Sequence, residues 1–360
     1  MTVPASIHPA PPADIAPAPA AGSAPTTAAD VGAMSAILQA AYGGPEVLRL
    51  GLAPRPTPGP GEVRVRVAAA AIDRGTWHLM TGRPYAMRVM GFGFWRPKAR
   101  IAGLDLAGTI DAIGPGVTAF AVGDVVCGIG RGSFAEWSIA RVEKLARVPE
   151  GLDFTSAAAL PVSGITAIEV VDAARIEPGQ RVLVLGASGG VGTYLVQLAK
   201  AAGAHVTGVA SRAKLDLVRA LGADAALDYA TEDPLVGAGR GDARWDVILD
   251  VGGNRPIAAL RAALTPTGCL VFVGNEQGGD VGGGLGRPLA AMVLAPFVRQ
   301  RFVMAMSRER SADLARLVAL VEAGRVRPVV DRVVALAEVP DALRALEAGE
   351  VRGKLAVRVR

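Results

Sequence analysis

Residues 182–192 read VLVLGASGGVG, and this stretch decides the fold. Its first four residues are all apolar, as in a parallel strand covered on both faces. Glycines then recur at three-residue spacing, at Gly186, Gly189 and Gly192. The segment 193–202, TYLVQLAKAA, is rich in helix formers, and Gly203 stands where a helix end takes a left-handed residue. A strand, a glycine turn and a helix in that order bind a dinucleotide pyrophosphate. The glycines let backbone N–H groups approach the phosphates, and the helix N-terminus adds partial positive charge. On this reading Gly186, Ser188, Gly189, Gly190 and Val191 hold the cofactor. The spacing is GxxGxxG instead of GxGxxG, so glycines serving only a tight turn are the competing reading.

Downstream, strands and helices alternate as in a doubly wound sheet. Strands are expected at 205–210, 225–227, 245–253 and 269–274, with helices at 214–221 and 257–264. A glycine-rich loop at 275–286 leads to a strand at 301–305. Upstream, from Ala36, short strands punctuated by glycine and proline predict a compact, partly open β-barrel. A long helix is expected over 156–171. After residue 306 the chain returns to the first domain, through helices at 312–323 and 341–348 and strands at 329–333 and 354–359. The expected architecture is α/β: a barrel domain of residues 34–155 and 307–360, with a dinucleotide-binding domain, 156–306, inserted into it.

The 360 residues are 51% hydrophobic and 20% charged, enough to bury the cores of two domains. The net charge of +5 is dispersed and aromatics show no stacking pattern, which argues against nucleic acid as a partner. Two cysteines, Cys127 and Cys269, are too few for a four-cysteine zinc site or a disulfide framework. A reducing, cytoplasmic compartment fits them. No apolar run reaches membrane-spanning length, so no membrane partner is expected. Residues 1–33 are Ala- and Pro-rich without periodicity, which predicts a disordered tail. Because Met34 opens the first periodic segment, an over-extended gene start is another reading of that tail.

Motifs along the whole chain then carry a resemblance. They are YGGPEVL (42–48), GLDLAG (103–108), GSFAEW (132–137), LPVSGITA (160–167), GASGGVG (186–192), LGADAALDY (221–229), ILDVGGN (248–254), VFVGN (271–275) and GKLAV (353–357). In these the chain resembles a medium-chain dehydrogenase/reductase of the zinc-free, quinone oxidoreductase-like branch. The resemblance implies a GroES-like barrel domain, a Rossmann domain, a nicotinamide cofactor between them, and a homodimer joined through Rossmann sheet edges.

An NAD-selective Rossmann site places a carboxylate at the end of its second strand, for the ribose 2′-OH. Here that strand runs on into Ser211-Arg212-Ala213-Lys214, two cations and no carboxylate. Arg212 and Lys214 can pair with a 2′-phosphate and Ser211 can donate to it, which predicts NADPH over NADH. A solvated helix start is the plainer alternative for the two cations, although cations there oppose the helix dipole. The resemblance further implies that Tyr229 flanks the same phosphate and that Thr166 contacts the nicotinamide amide. It puts Val251, Gly274 and Asn275 at the nicotinamide ribose and Lys354 on the cofactor side.

Zinc-containing members of the superfamily hold metal with a cysteine, a histidine in GHExxG, and a further cysteine or aspartate. At those places this chain reads Asp73, Leu104 beside Asp105, and Pro161-Val162-Ser163-Gly164, a poor zinc set, so no metal is expected. Without a Lewis acid, electron-poor acceptors such as quinones and α,β-unsaturated carbonyls (enones) are the favoured substrates. Zinc-free relatives read N-x-x-D-W where this chain has Asp73, Thr76 and Trp77. Asp73 and Trp77 are therefore placed in the cleft, with Tyr85 a further candidate there. His78 is a candidate proton donor, with a structural histidine as the alternative. Asp105 is read as a hydrogen-bond partner of the backbone. The insert 85–100 reads as a lid or wall of the substrate pocket, or equally as surface packing. Taken together these readings predict an NADPH-dependent, zinc-independent quinone or enone reductase. An alcohol/ketone oxidoreductase and a non-catalytic NADPH-binding redox sensor are the alternatives.

Overall fold

The computed structural model describes residues 32–235, 244–274, 286–305 and 307–360. The glycine-rich loop with Asn275, and the tail up to residue 31, lie outside the described residues.

Six strands form one parallel sheet: β7 (Arg181–Leu185), β8 (His205–Ala210), β9 (Ala225–Asp228), β10 (Trp245–Asp250), β11 (Leu264–Phe272) and β12 (Arg301–Met304). Their order is β12-β11-β10-β7-β8-β9, and every pairing is parallel. The order reverses between β7 and β10. Loops leaving the carboxyl ends of these two strands run apart and leave a crevice, the usual ligand position in such sheets. Val182, Leu183, Val184 and Ile248 are fully buried, as a strand covered on both faces requires.

The second sheet contains β3 (Glu62–Ile72), β4 (Asp105–Ile113), β5 (Val125–Arg131), β6 (Trp137–Arg147), β13 (Val330–Ala335) and β14 (Lys354–Arg358). Its order is β13-β14-β3-β4-β5-β6, and β3 also pairs with β6, which closes β3 to β6 into a small barrel. A separate hairpin joins β1 (Ala33–Gln39) to β2 (Leu48–Pro54). Strand β14 enters the barrel sheet beside β3, although 281 residues separate Lys354 from Asp73. That return brings the C-terminal segment to the mouth of the crevice.

Helices α2 (Phe154–Ala158) and α3 (Pro161–Ala174) connect the two sheets. A single helix was expected over 156–171, and the chain instead breaks at Ala159 and Leu160. Pro161 causes this: it has no N–H to continue α2 and its fixed φ suits the first turn of a new helix. Buried residues of α3, Ile165 and Ile168, join one apolar cluster that includes Ala69 and Ala107 of the barrel and Val182 and Val184 of the parallel sheet. The two sheets therefore share a core. Helix α4 (Gly190–Ala201) begins three residues earlier than its helix formers alone predict, because the glycines of the turn supply its first turn. Among the described residues, no helix is long and apolar enough to cross a membrane.

Candidate active site

The turn after β7 is shaped by glycines that cannot be replaced without moving backbone. Gly186 has φ +84°, a left-handed conformation that a side chain resists. A Cβ on Gly192 would stand 2.1 Å from the Gly186 carbonyl oxygen. By contrast, a Cβ on Gly189 would meet nothing closer than 3.6 Å. Gly189 caps α4 without any side-chain hydrogen bond, so the helix's first N–H groups remain available to a ligand. Gly186, Ser188, Gly189, Gly190 and Val191 line a cavity of about 240 Å³, closed on the other side by Val251 and Gly252 after β10. The open Gly189 position and the uncapped helix fit a dinucleotide pyrophosphate.

The floor of this cavity is an ion cluster. Lys354, the first residue of β14, is 1% exposed and donates to Asp105 Oδ2 at 2.7 Å and to Asp73 Oδ2 at 3.3 Å. Asp73 follows β3 directly and caps α1 (Arg74–Thr81) by accepting from the Thr76 N–H at 2.7 Å. Asp105 opens β4 and accepts from the Val162 N–H at 2.8 Å, at the N-terminus of α3. The backbone hydrogen bond expected of Asp105 is present, and an ion pair is added to it. Burial pushes the Asp105 carboxyl up to about 7; Lys354 opposes that shift and the neighbouring Asp73 reinforces it. Burial also raises Asp73, but Lys354, the Thr76 N–H and a hydrogen bond from Asp105 outweigh it and hold Asp73 below its ordinary range. For Lys354, the two carboxylates outweigh burial and raise its amine. Burial therefore favours the protonated form of Asp105, whereas Lys354 and the Thr76 N–H favour the ionised form of Asp73.

Gly353 joins the cluster to the glycine loop, donating its N–H to the Ser188 carbonyl at 2.8 Å. Ser163 of α3 also lines the cavity, and a Cβ on Gly190 would meet its Oγ at 2.9 Å. Sequence reasoning noted Ser163 only as a missing cysteine and overlooked this contact.

At the far edge, Ser211 starts the short turn Arg212–Lys214, and Tyr229 donates its N–H to the Ala210 carbonyl, which places these residues together at the ends of β8 and β9. Arg212 is exposed and Tyr229 is 59% exposed. Lys214, expected to pair with the 2′-phosphate, lines the glycine-loop cavity with its amine already engaged. Its amine donates to the carbonyls of Gly349 and Val351 at 2.6 and 2.8 Å, and burial there lowers its pKa. Lys214 straps the loop before β14 to the parallel sheet.

Other candidates stand apart from the cavity lining. Thr166 turns its hydroxyl back to the Val162 carbonyl at 2.7 Å, one helical turn below Ser163. Gly274 packs on the Val251 carbonyl, 2.4 Å from where a Cβ would stand. Trp77 donates to Glu347 and lines a different cavity of about 220 Å³, with Tyr42, Tyr85 and Arg88. Leu346 and Glu347, adjacent at the end of α9 (Val339–Glu347), line one cavity each. His78 Nδ1 lies 2.7 Å from the Arg83 carbonyl. Among the described residues, no group of three or more His, Cys, Asp and Glu could hold a metal ion. Cys127 is fully buried, and burial, with the charge of Asp105, pushes its thiol up to about 12.

Comparisons with known proteins agree with this architecture. A family profile described as the alcohol dehydrogenase GroES-like domain matches residues 59–150, and one described as zinc-binding dehydrogenase matches 221–357. The mouse mitochondrial NAD(P)H oxidoreductase RTN4IP1 is 33% identical over 282 residues, 71% of this chain and 70% of that protein. A 205-residue match at 37% identity to the pikromycin polyketide synthase component PikAII of Streptomyces venezuelae spans only 5% of that much longer protein. Among solved structures, the quinone oxidoreductase from Coxiella burnetii has a TM-score of 0.80 at 28% identity, covering 91% of this chain and all of that one. Mycobacterial Rv1454c, solved in complex with NADPH, has a TM-score of 0.78 at 28% identity, with the same coverage. Fold, crevice and relatives agree: the chain belongs to the medium-chain dehydrogenase/reductase superfamily of oxidoreductases and is quinone oxidoreductase-like.

Proposed function

We propose that this chain is an NADPH-dependent reductase that works without zinc and passes a hydride to a quinone or an α,β-unsaturated carbonyl. The observation that carries the reading is the position of Lys354. Where zinc-containing members gather metal ligands, this chain has two buried carboxyl groups that already share one buried ammonium. No thiolate or imidazole joins them among the described residues, and a divalent cation would have to displace Lys354 from a site less than 2% exposed. The donor set does not fit zinc.

The glycine turn and the uncapped start of α4 do fit a nicotinamide dinucleotide, which when bound supplies a hydride to an electron-poor carbon. The first turn of α4 holds the pyrophosphate, and Ser211 and Arg212 take the 2′-phosphate. Val251 and Gly252 wall the nicotinamide end. Asp73 and Lys354 line the same cavity, and Asp105 lies behind them on the Lys354 amine. Reduction of a quinone consumes one hydride and one proton, and Asp105, its carboxyl pushed up to about 7 by burial, is the proton-holding group of the cluster. The expected homodimer belongs to the same reading; β12, at the outer edge of its sheet among the described residues, supports it.

The cofactor preference has a direct test. Arg212→Ala is expected to raise KM for NADPH by about tenfold, the loss of one charge-assisted contact, and to leave KM for NADH unchanged. Equal effects on the two cofactors would overturn the assignment of Arg212 to the 2′-phosphate.

A further inference from the structure

Beyond Arg88, the segment following α1 leaves the cavities described above. Residues 83–100 contain five cations, Arg83, Arg88, Arg96, Lys98 and Arg100, and no Asp or Glu. The same segment exposes Val89 at 68%, Phe94 at 55% and Trp95 at 86%. Phe94 and Trp95 pack edge to face, with ring centroids 4.7 Å apart, so the pair is held out as one unit. Arg88 is already taken: it donates to the Gly82 and Thr81 carbonyls and lies over the rings of Tyr42 and Tyr85. Arg96, Lys98 and Arg100 are different. Among the described residues, none of the three has an ion pair or side-chain hydrogen bond.

Phe94 and Trp95 face the β1–β2 hairpin across a groove of about 800 Å³, which also takes in Arg49 and Leu52. Leu52 is 72% exposed, and its neighbour on β2, Leu50, is 52% exposed. Among the described residues, no carboxylate lines this groove. It shares no residue with the lining of the glycine-loop cavity, whereas Tyr85 and Arg88 of the same insert line the cavity beside Trp77. Exposed aromatic, aliphatic and cationic side chains therefore meet on one face, and a single apolar patch of this kind marks an interaction surface.

We propose that this face docks the protein on an anionic lipid bilayer. The cations meet acidic headgroups while Trp95 and Phe94 enter at headgroup level, the depth at which amphipathic rings and basic side chains settle. Charge complementarity selects this occupant. A second copy of the chain would bring the same cations against one another, with no carboxylate among the described residues of the groove to receive them. The sequence expectation of no membrane partner rested on spanning segments; a peripheral face needs no long apolar run.

The test is co-sedimentation of the full chain with vesicles of phosphatidylcholine alone, or of phosphatidylcholine with phosphatidylserine. Binding is expected only where phosphatidylserine is present, and high salt should release it. Replacing Arg96, Lys98 and Arg100 with Gln should weaken binding about fivefold for each cation removed. Phe94→Ser with Trp95→Ser should weaken it further at low salt and leave the oligomeric state unchanged. Retained NADPH binding would show that each variant is folded. The proposal is overturned by binding that ignores phosphatidylserine, by binding that survives both sets of substitutions, or by no binding. It is also overturned if the Ser variants change the oligomeric state, or if free decyl phosphate binds while vesicles do not.

Discussion

Lys354→Met is expected to lower the unfolding free energy by about 3–5 kcal/mol, because it strands two buried carboxyls without their cation. Denaturant unfolding measures this directly. The loss should deepen as pH rises, since neither Asp73 nor Asp105 can then stay ionised cheaply in the core. In the folded protein, burial pushes the Asp105 carboxyl up to about 7 from 3.8 for the ordinary carboxyl. A raised folded pKa means that the folded state keeps a proton the unfolded chain has released. Asp105's contribution to stability is therefore complete below about pH 4 and is lost as pH rises through about 7. Asp73, lowered, contributes above the ordinary carboxylate range and loses that only in acid. Lys354, raised, contributes below its ordinary amine range and loses it only at high pH. Between about pH 4 and 7, Asp105 dominates the cluster's slope, and Asp105→Asn should flatten it. Wild-type stability in Lys354→Met would show that the cluster is not ionised as described.

The second large effect concerns the glycine turn. Gly192→Ala puts a methyl group 2.1 Å from the Gly186 carbonyl oxygen, and neither partner is a side chain that could rotate away. A destabilisation of about 3 kcal/mol or more is expected, with loss of NADPH binding. Gly189→Ala separates folding from function. Its methyl meets only ordinary van der Waals contact at 3.6 Å, so stability should change by less than about 0.5 kcal/mol. The same methyl enters the cavity in front of α4, and NADPH affinity measured by fluorescence titration should fall at least about tenfold. Unchanged affinity in Gly189→Ala would place the pyrophosphate elsewhere.

Much of the fold was legible because its signals are local. The run 182–185 followed by spaced glycines marks β7, its turn and α4 within twelve residues of chain. The 205–210 strand was read to the residue, since a valine-bearing run ends at a turn carrying Ser211 and two cations. The break between α2 and α3 was missed because a continuous apolar stripe hid the effect of one proline. The site was legible only in pieces. GLDLAG and GKLAV were each recognised as motifs, but the 2.7 Å contact between Asp105 and Lys354 joins residues 249 positions apart. No periodicity encodes such a pairing; it follows from β14 returning beside β3. Lys214 shows the same limit. Its charge could be read from the sequence, whereas its capture by the Gly349 and Val351 carbonyls depends on where the C-terminal loop passes.

The central claim is hydride transfer from NADPH without a metal. Its most direct measurement is NADPH oxidation by chelator-treated protein with an ortho-quinone, a para-quinone and a linear enone as acceptors. The account predicts turnover on at least one of them, unchanged by added zinc. Silence on all three that zinc restores would contradict it and show that a metal displaces Lys354. Silence in both conditions would contradict the assignment of a quinone or enone substrate.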